Sequence, residues 1–422
     1  GCVRKRSCER VTGSDRIPDP RHRGALPQAT PGRSMIVTIA AGLFWTAVGS
    51  LAYVYIVFPL LCLLRALVAP RRIKRREVFP FVSICVAAYN EECTIARKIR
   101  NVQSQDYPAD KWELIVASDG STDATEQVVR EAEDPRVRLL SLPRGGKNRT
   151  LNEAVKHTRG SVIVFTDADI LFAEHSVRSL VESLADDGVG CVAGHYSYVR
   201  NAGSRNKGER SYWRFDSWLK RMQARGGSAT SATGAIYAIR RHLYTELPRG
   251  VCDDFFESAK VVAQGYRIAY EPRAVAYGEP AESSAGEYRR KVRVITAGLK
   301  GTWALRELWN PLRYGFYAIQ LFSHKVARRL VVVPLAVLFA SSLLLAPTDH
   351  VYAAVAAAQG AFHGTAIFAF MFRYTAVARL RLVALPWYFD MVYLAALNAI
   401  VNLLFGRQRD IWTPAERAVV NY

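Results

Sequence analysis

Apolar residues follow two patterns along this chain. At both ends they form long runs, and through the middle they come as short runs separated by polar, helix-forming stretches. Residues 36–69 contain a single charge, Arg65. About twenty apolar residues cross a bilayer, and a signal peptide has a shorter apolar core, so 35–69 is expected to be a transmembrane helix. Residues 330–346 and 351–372 are joined by Pro347-Thr-Asp-His350 and predict a hairpin of two further spans. Residues 386–405 are apolar too, but Asp390, Asn398 and Asn402 share one helical face. That stripe fits a span with buried packing contacts, a cavity wall or an interfacial helix, and a span is the expectation.

The middle of the chain reads differently. Residues 81–88, 112–118, 137–141, 162–166, 189–198, 235–239 and 267–272 are short apolar or β-branched runs, the pattern of buried strands. Helical patterns lie between them at 92–104, after Ser121 or Thr122 as cap, and at 145–157, 205–225 and 251–265. Strand and helix alternate, so 78–284 is expected to be an α/β domain with a doubly wound, mostly parallel, Rossmann-like sheet. Residues 287–308 mix bases with apolar positions, and 285–325 is expected to lie on the membrane surface as amphipathic helices. Helix 205–225 carries Tyr212, Trp213, Phe215 and Trp218, a band suited to packing in a core or at a membrane surface, or to a sugar face.

Charge refines this outline. The chain has 57 Lys and Arg against 37 Asp and Glu, a formal charge of +20, and half of it is hydrophobic. The bases cluster beside apolar runs and no nucleic-acid motif accompanies them, so the partner they imply is anionic lipid or an anionic substrate, not nucleic acid. Arg71-Arg-Ile-Lys-Arg-Arg76 follows the first span and places that end in the cytoplasm. Lys325, Arg328 and Arg329 before the hairpin and Arg373, Arg379 and Arg381 after it place both flanks there too. A spanning 386–405 puts the bases of the 406–422 tail, Arg407, Arg409 and Arg417, on the other side, against that bias. Residues 1–34 are rich in Arg, Pro, Gly and Ser and are expected to be a disordered or non-native leader, with Met35 as the native start. The seven cysteines are scattered without C-x-x-C spacing, which argues against a disulfide framework or a zinc site.

The candidate chemistry sits at strand ends. The first strand ends in Tyr89-Asn-Glu-Glu92, the second in Asp119-Gly-Ser-Thr-Asp123, and the strand at 162–166 runs into Asp167-Ala-Asp169. Ligands of open α/β sheets bind at that edge. Paired carboxylates are hard oxygen ligands suited to Mg²⁺ or Mn²⁺, which in turn hold phosphates. One such end is ordinary capping or a loop charge; several at one sheet edge make a site. Asp253-Asp254 at a helix start fits either capping or chemistry, and the small-residue loop 226–234 fits close backbone approach to a ligand or a plain connection.

Taken in this order, residues 81–303 resemble the membrane-attached inverting glycosyltransferases of family 2, with the A-type (GT-A) nucleotide-sugar fold. The resemblance implies that Ala88, Tyr89, Asn90 and Glu91 lie near the nucleotide base, that Asp119 contacts the uracil or ribose side, and that Lys147, in Gly145-Gly-Lys-Asn-Arg-Thr-Leu-Asn152, lies beside the nucleotide. It implies that Asp167 and Asp169 are the D-x-D motif, with Asp169 the direct Mg²⁺ or Mn²⁺ ligand. Asp254 becomes the catalytic base, and Asp253, Arg289, Arg290 and Arg293 contact acceptor or phosphate. The implied donor is a nucleotide sugar, UDP-linked by expectation. The implied acceptor is a lipid-linked or growing glycan at the bacterial inner membrane. Polymerising members of the family carry Gln-x-x-Arg-Trp where this chain has Arg289-Arg-Lys-Val-Arg-Val294. A processive synthase and an inactive nucleotide-binding membrane subunit are the alternatives.

Overall fold

In the computed structural model, residue 1 and residues 31–198, 207–278, 284–375, 377 and 380–406 are described. Residues 2–30 of the expected leader, 407–422 of the expected tail, and the side chains of Tyr212 and Trp213 lie outside them, and 31–34, expected in the leader, open the first helix. Eight strands form one sheet: β1 (Val82–Ala88), β2 (Trp112–Asp119), β3 (Val137–Leu142), β4 (Val162–Asp167), β5 (Leu171–Phe172), β6 (Val189–Tyr198), β7 (Tyr237–Arg240) and β8 (Arg267–Gly278). Their order is β3-β2-β1-β4-β7-β6-β8-β5. β3, β2, β1 and β4 are parallel, β6 is parallel to β8, and only β7 and β5 run against their neighbours. The mostly parallel, doubly wound sheet expected from the alternation is the one observed.

Both faces of its central strands are covered, which is why they read as continuous apolar runs and not as alternations. Ile84 and Val86 pack with Ile95, Ile99 and Val102 of helix Glu92–Gln103 on one face. Cys85 and Ala87 pack with Leu151 and Val155 of helix Lys147–Lys156 on the other. Burial of each such aliphatic side chain stabilises the fold by about 1.5–3 kcal/mol. Some boundaries differ from expectation. β8 continues past Pro272 to Gly278, with a register shift against β6 between Ala193 and His195. β5 has only two residues, too few to show a period.

The apolar ends form helices. Pro31–Ala52 and Phe58–Val68 join through a π-helical turn, Tyr53–Val57. Ser34–Val68, His350–Met371 and Leu382–Leu404 are long and apolar enough to cross a membrane. Within the expected span 330–346 the helix is Val332–Leu345, whose 14 residues are about 21 Å long at 1.5 Å each, short of a bilayer core of about 30 Å. It meets Phe316–Ala327 at a bend of 59°.

Long-range contacts dock these helices on the sheet domain. Phe58 and Cys62 pack on Leu219, and Arg65 Nε donates to the Gly226 carbonyl at 2.8 Å. The polar stripe of the last helix makes side-chain contacts with its neighbours: Asp390 lies 3.0 Å from His363, and Asn398 donates to Tyr288 Oη at 3.0 Å. Tyr288 belongs to Ser284–Ala304, the helix expected to be amphipathic and interfacial.

Candidate active site

β2, β1 and β4 are neighbours, so their carboxyl ends bring Asp119, Asn90 and Asp167 to one edge. On the β1–β2 side the polar groups are tied to one another. Asn90 adopts φ 55°, and its Oδ1 accepts from Thr122 N at 2.9 Å. Asn90 N donates to Ser121 Oγ at 3.2 Å. Ser121 and Thr122 therefore do not cap the following helix; it starts at Thr125, whose N donates to Asp123 Oδ1 at 3.0 Å. Asn90 pins the loop to β1 instead. Glu91 is buried, with its N on Thr125 Oγ1 at 2.7 Å and its Oε2 on Thr94 Oγ1 at 2.6 Å.

Asp119 is 1% exposed. It accepts from Gly145 N at 2.7 Å, from Gly146 N at 3.0 Å and from the Arg144 guanidinium, which lies 3.5 Å above the Tyr89 ring centroid. The carboxylate thus holds the 144–146 loop in place, and Tyr89 with Arg144 forms the stacked surface at this end. Gly120 makes the approach possible. Its φ is 68°, and a Cβ there would stand 2.8 Å from Arg144 N.

Lys147 occupies the centre. Its Nζ donates to Asp167 Oδ1 at 2.8 Å and lies 2.9 Å from Asp253 Oδ2. Burial works against the ammonium charge, but Asp167 and Asp253 outweigh it and hold Lys147 well above the ordinary lysine range. A residue at the start of helix Lys147–Lys156 thus links the D-x-D motif to the acidic pair at the start of helix Asp253–Ala263. Asp169, half-buried, follows in the same turn as Asp167. Beneath that turn lies a residue that sequence reasoning missed, Lys98. Its Nζ donates to Thr166 Oγ1 at 3.0 Å and to the Ile170 carbonyl at 2.8 Å, 3.9 Å from the Phe172 ring centroid. Burial lowers its pKa to about 7, against the attraction of Asp167 and Asp169. The available signal was a lysine on the apolar stripe Ile95, Ile99 and Val102.

On the far side, Asp254 Oδ1 accepts from Phe255 N at 2.8 Å and from Cys252 Sγ at 3.0 Å. Burial, then Asp254 and Asp253, push the Cys252 thiol well above its usual range, so it stays a donor. Cys252, Asp253 and Asp254 bring ligand atoms within 4.8 Å of one another, but Asp253 is already engaged by Lys147 and Asp254 Oδ1 already accepts two bonds. Asp167 and Asp169 are the hard-oxygen pair that fits Mg²⁺ or Mn²⁺, and Asp167 keeps 41% of its side chain exposed for it. Asp254 Oδ2 faces the 226–234 loop, where a Cβ on Gly234 would stand 3.7 Å away. Arg290 is engaged by Glu287 at 2.9 and 3.0 Å, and Arg289 is exposed. The charge of Arg293 acts on Asp167 and Asp253.

Residues 83–247 match the model of glycosyl transferase family 2. The chain carries a family 2 glycosyltransferase domain. The matched segment includes the D-x-D turn and Lys147 and ends before Asp253. A beta-monoglucosyldiacylglycerol synthase from Nostoc sp. is 31% identical over 169 residues, 38% of this chain and 36% of that one. A poly-beta-1,6-N-acetyl-D-glucosamine synthase from Staphylococcus epidermidis is 24% identical over 241 residues, 55% of this chain and 57% of that one. The chain therefore spans about a third to just over half of the length of these curated relatives. Among solved structures, the mannosyltransferase PcManGT from Pyrobaculum calidifontis, in complex with GDP-Man and Mn²⁺, superposes with TM-score 0.64 at 24% identity, covering 88% of this chain and 100% of that one. That likeness fixes the fold of the glycosyltransferase domain as GT-A.

Proposed function

We propose that the chain is a metal-dependent inverting glycosyltransferase. It moves a sugar from a nucleotide sugar, UDP-linked by preference, to a hydroxyl of a lipid-linked or polysaccharide acceptor at the bacterial inner membrane, with the catalytic domain cytoplasmic. The observation that carries this reading is the Lys147 bridge between Asp167 and Asp253, which puts the D-x-D motif and the acidic pair in one cleft. The relatives are named for a glycolipid and for a polymer, which supports both acceptor classes.

Transfer breaks the bond between the anomeric carbon and the diphosphate oxygen as the acceptor hydroxyl attacks from the opposite face. A divalent cation held by Asp169 and Asp167 would offset charge growing on the departing diphosphate. Lys147 and Arg293 add fixed positive charge on that side. Asp254 takes the proton of the attacking hydroxyl. Cys252 and the Phe255 amide hold Oδ1 and leave Oδ2 toward Gly234. A single displacement inverts the anomeric configuration. The stretch 289–294 carries no aromatic ring on which a growing chain would stack, so single addition is favoured over polymerisation.

The test is a donor screen. The full chain in detergent, with Mn²⁺ and a panel of radiolabelled nucleotide sugars, releases free nucleotide from one of them, and product length on a gel separates one addition from many. No release and no binding with any donor would refute the reading.

A further inference from the structure

The single charge of the first apolar run, Arg65, has no part in the reaction above. Its Nε donates to the Gly226 carbonyl at 2.8 Å, and its guanidinium lies 4.8 Å from the Phe316 ring centroid. The approach is close, since a Cβ on Gly226 would stand 3.2 Å from Arg65 Cγ and 3.4 Å from Ala66 N. Just beyond that helix, Arg71 N donates to the Arg225 carbonyl at 2.7 Å. Phe316 opens helix Phe316–Leu321, and two buried residues of this helix reach the carbonyls that follow. Gln320 Nε2 donates to the Ser228 carbonyl at 2.9 Å, and Tyr317 Oη to the Thr230 carbonyl at 2.9 Å. Side chains from outside the α/β domain thus hold the carbonyls of residues 226, 228 and 230.

The bonds continue from there to Asp254. Residues 229–232 are buried. Ala229 N donates to the Ile268 carbonyl of β8 at 2.9 Å, and Ile268 N donates to Ser228 Oγ at 2.9 Å. Ala232 N donates to Ser258 Oγ at 2.9 Å, and Ser258 Oγ in turn donates to the Asp254 carbonyl, one turn back on the same helix. Thr233 Oγ1 accepts from Lys220, and Gly234 faces Asp254 Oδ2. A buried carbonyl has to be paired, and the partners of Ser228 and Thr230 sit on a helix that also touches Arg65. A shift of that helix or of the first apolar helix therefore moves the wall beside Asp254. Misplacing a reacting group by about 1 Å costs up to about 100-fold in rate.

Resting on the glycosyltransferase reading above, we propose that Arg65, Tyr317 and Gln320 are positioning residues for transfer. Through the carbonyls of 226, 228 and 230 they fix the Thr233–Gly234 wall against Asp254, so the rate of transfer depends on how the first apolar helix is seated on the α/β domain. Donor binding at the β1 and β2 ends does not depend on them.

The test compares the full chain in detergent with Arg65→Met, Tyr317→Phe, Gln320→Leu and Gly226→Ala. The glycine variant removes no donor, yet its methyl group meets Arg65 and Ala66. The first readout is hydrogen exchange read by mass spectrometry, which needs neither donor nor acceptor. Each variant is expected to speed exchange across 228–236 by about 5-fold, the worth of one hydrogen bond, with β1 and β2 unchanged. The second readout is release of nucleotide from the donor that the screen identifies, with water as acceptor. Here kcat is expected to fall about 5-fold in each variant, with donor KM within about 2-fold of wild type. Ile319→Ala alters the same helix at a 40% exposed position and is expected to change neither readout. A wild-type kcat in the three side-chain variants would overturn the proposal, whatever the exchange shows. So would faster exchange that spreads to β1 and β2, a raised donor KM at unchanged kcat, or an equal effect of Ile319→Ala. A chain that turns over no nucleotide sugar but shows the local rise in exchange would refute the glycosyltransferase reading and keep the anchoring of the loop.

Discussion

The two rims of the cleft are built in opposite ways. The proposed nucleotide rim comes from the ends of β1 and β2 and the 144–147 loop, all close in sequence, and its polar groups bond one another. Asp119 has three donors, Asn90 bonds Ser121 and Thr122, and Glu91 is enclosed. The proposed acceptor rim draws Gly234 and Cys252 to Asp254 from distant segments. Its proposed base, Asp254, has one oxygen fixed and the other turned toward Gly234. The contrast separates two tasks. The first rim is held by contacts among neighbouring strand ends, whereas the second rests on contacts between segments far apart in the chain. Lys147 belongs to both, since it opens a helix of the first rim and touches Asp253 of the second.

Asp254→Asn tests the separation most severely. It keeps the shape and the bond from Phe255 N but removes the proton acceptor. Transfer is expected to fall about 10³-fold, with nucleotide affinity nearly unchanged. Nucleotide release and nucleotide titration measure the two, and a parallel fall of both would mean that the rims are not separable. Lys147→Met acts on the link. It leaves Asp167 and Asp253 without the ammonium between them, and both readouts are expected to drop, transfer by about 10²-fold. Normal nucleotide affinity in this variant would confine Lys147 to the reacting rim. Gly120→Ala acts on the binding rim alone. The left-handed φ and the close approach of Arg144 N make any side chain costly, about 1–3 kcal/mol of stability. The expected signature is a lower melting temperature and a raised donor KM with kcat nearly kept. A fall in kcat at unchanged KM would contradict the division.

The same contrast explains what the sequence disclosed. Strands and their polar ends are local patterns, so β1, β2, β4 and the D-x-D turn were legible from runs of apolar residues alone. The bridge from Lys147 to Asp253 spans more than a hundred residues, and only the family resemblance put those residues in one cleft. The roles of Ser121 and Thr122 were misread because capping is the local default, whereas here Asn90, some thirty residues earlier, claims them. Asp119 shows the complementary limit. Its place at the sheet edge follows from β2, but that its carboxylate is engaged by the 144–146 loop is a tertiary fact. Arg329 reaching Phe255 across Gly298 has no sequence signature, because a small residue on a helix face says nothing of what crosses it.

Lys98 gives the smallest and most specific test, because it supports the D-x-D turn without facing the cleft. Replacing it with Met keeps the volume and loses the bonds to Thr166 Oγ1 and the Ile170 carbonyl. The Mn²⁺ concentration giving half-maximal rate is expected to rise about 3-fold, a loosening worth about one neutral hydrogen bond. The second readout is pH. Folded Lys98 has its pKa lowered to about 7 from 10.5. Between those values the unfolded chain binds a proton that the folded chain does not, so stability rises as pH climbs through that window. Below about 7 both states are protonated and the cost of burying the charge is present in full. Lys98→Met removes this dependence, so the difference in melting temperature, wild type minus variant, is expected to grow between pH 7 and pH 10. A difference that stays flat across that range would mean that the lysine is solvated in the folded protein. It would then not be the support beneath the D-x-D turn, and the first rim would owe its order to the Asp119 and Asn90 contacts.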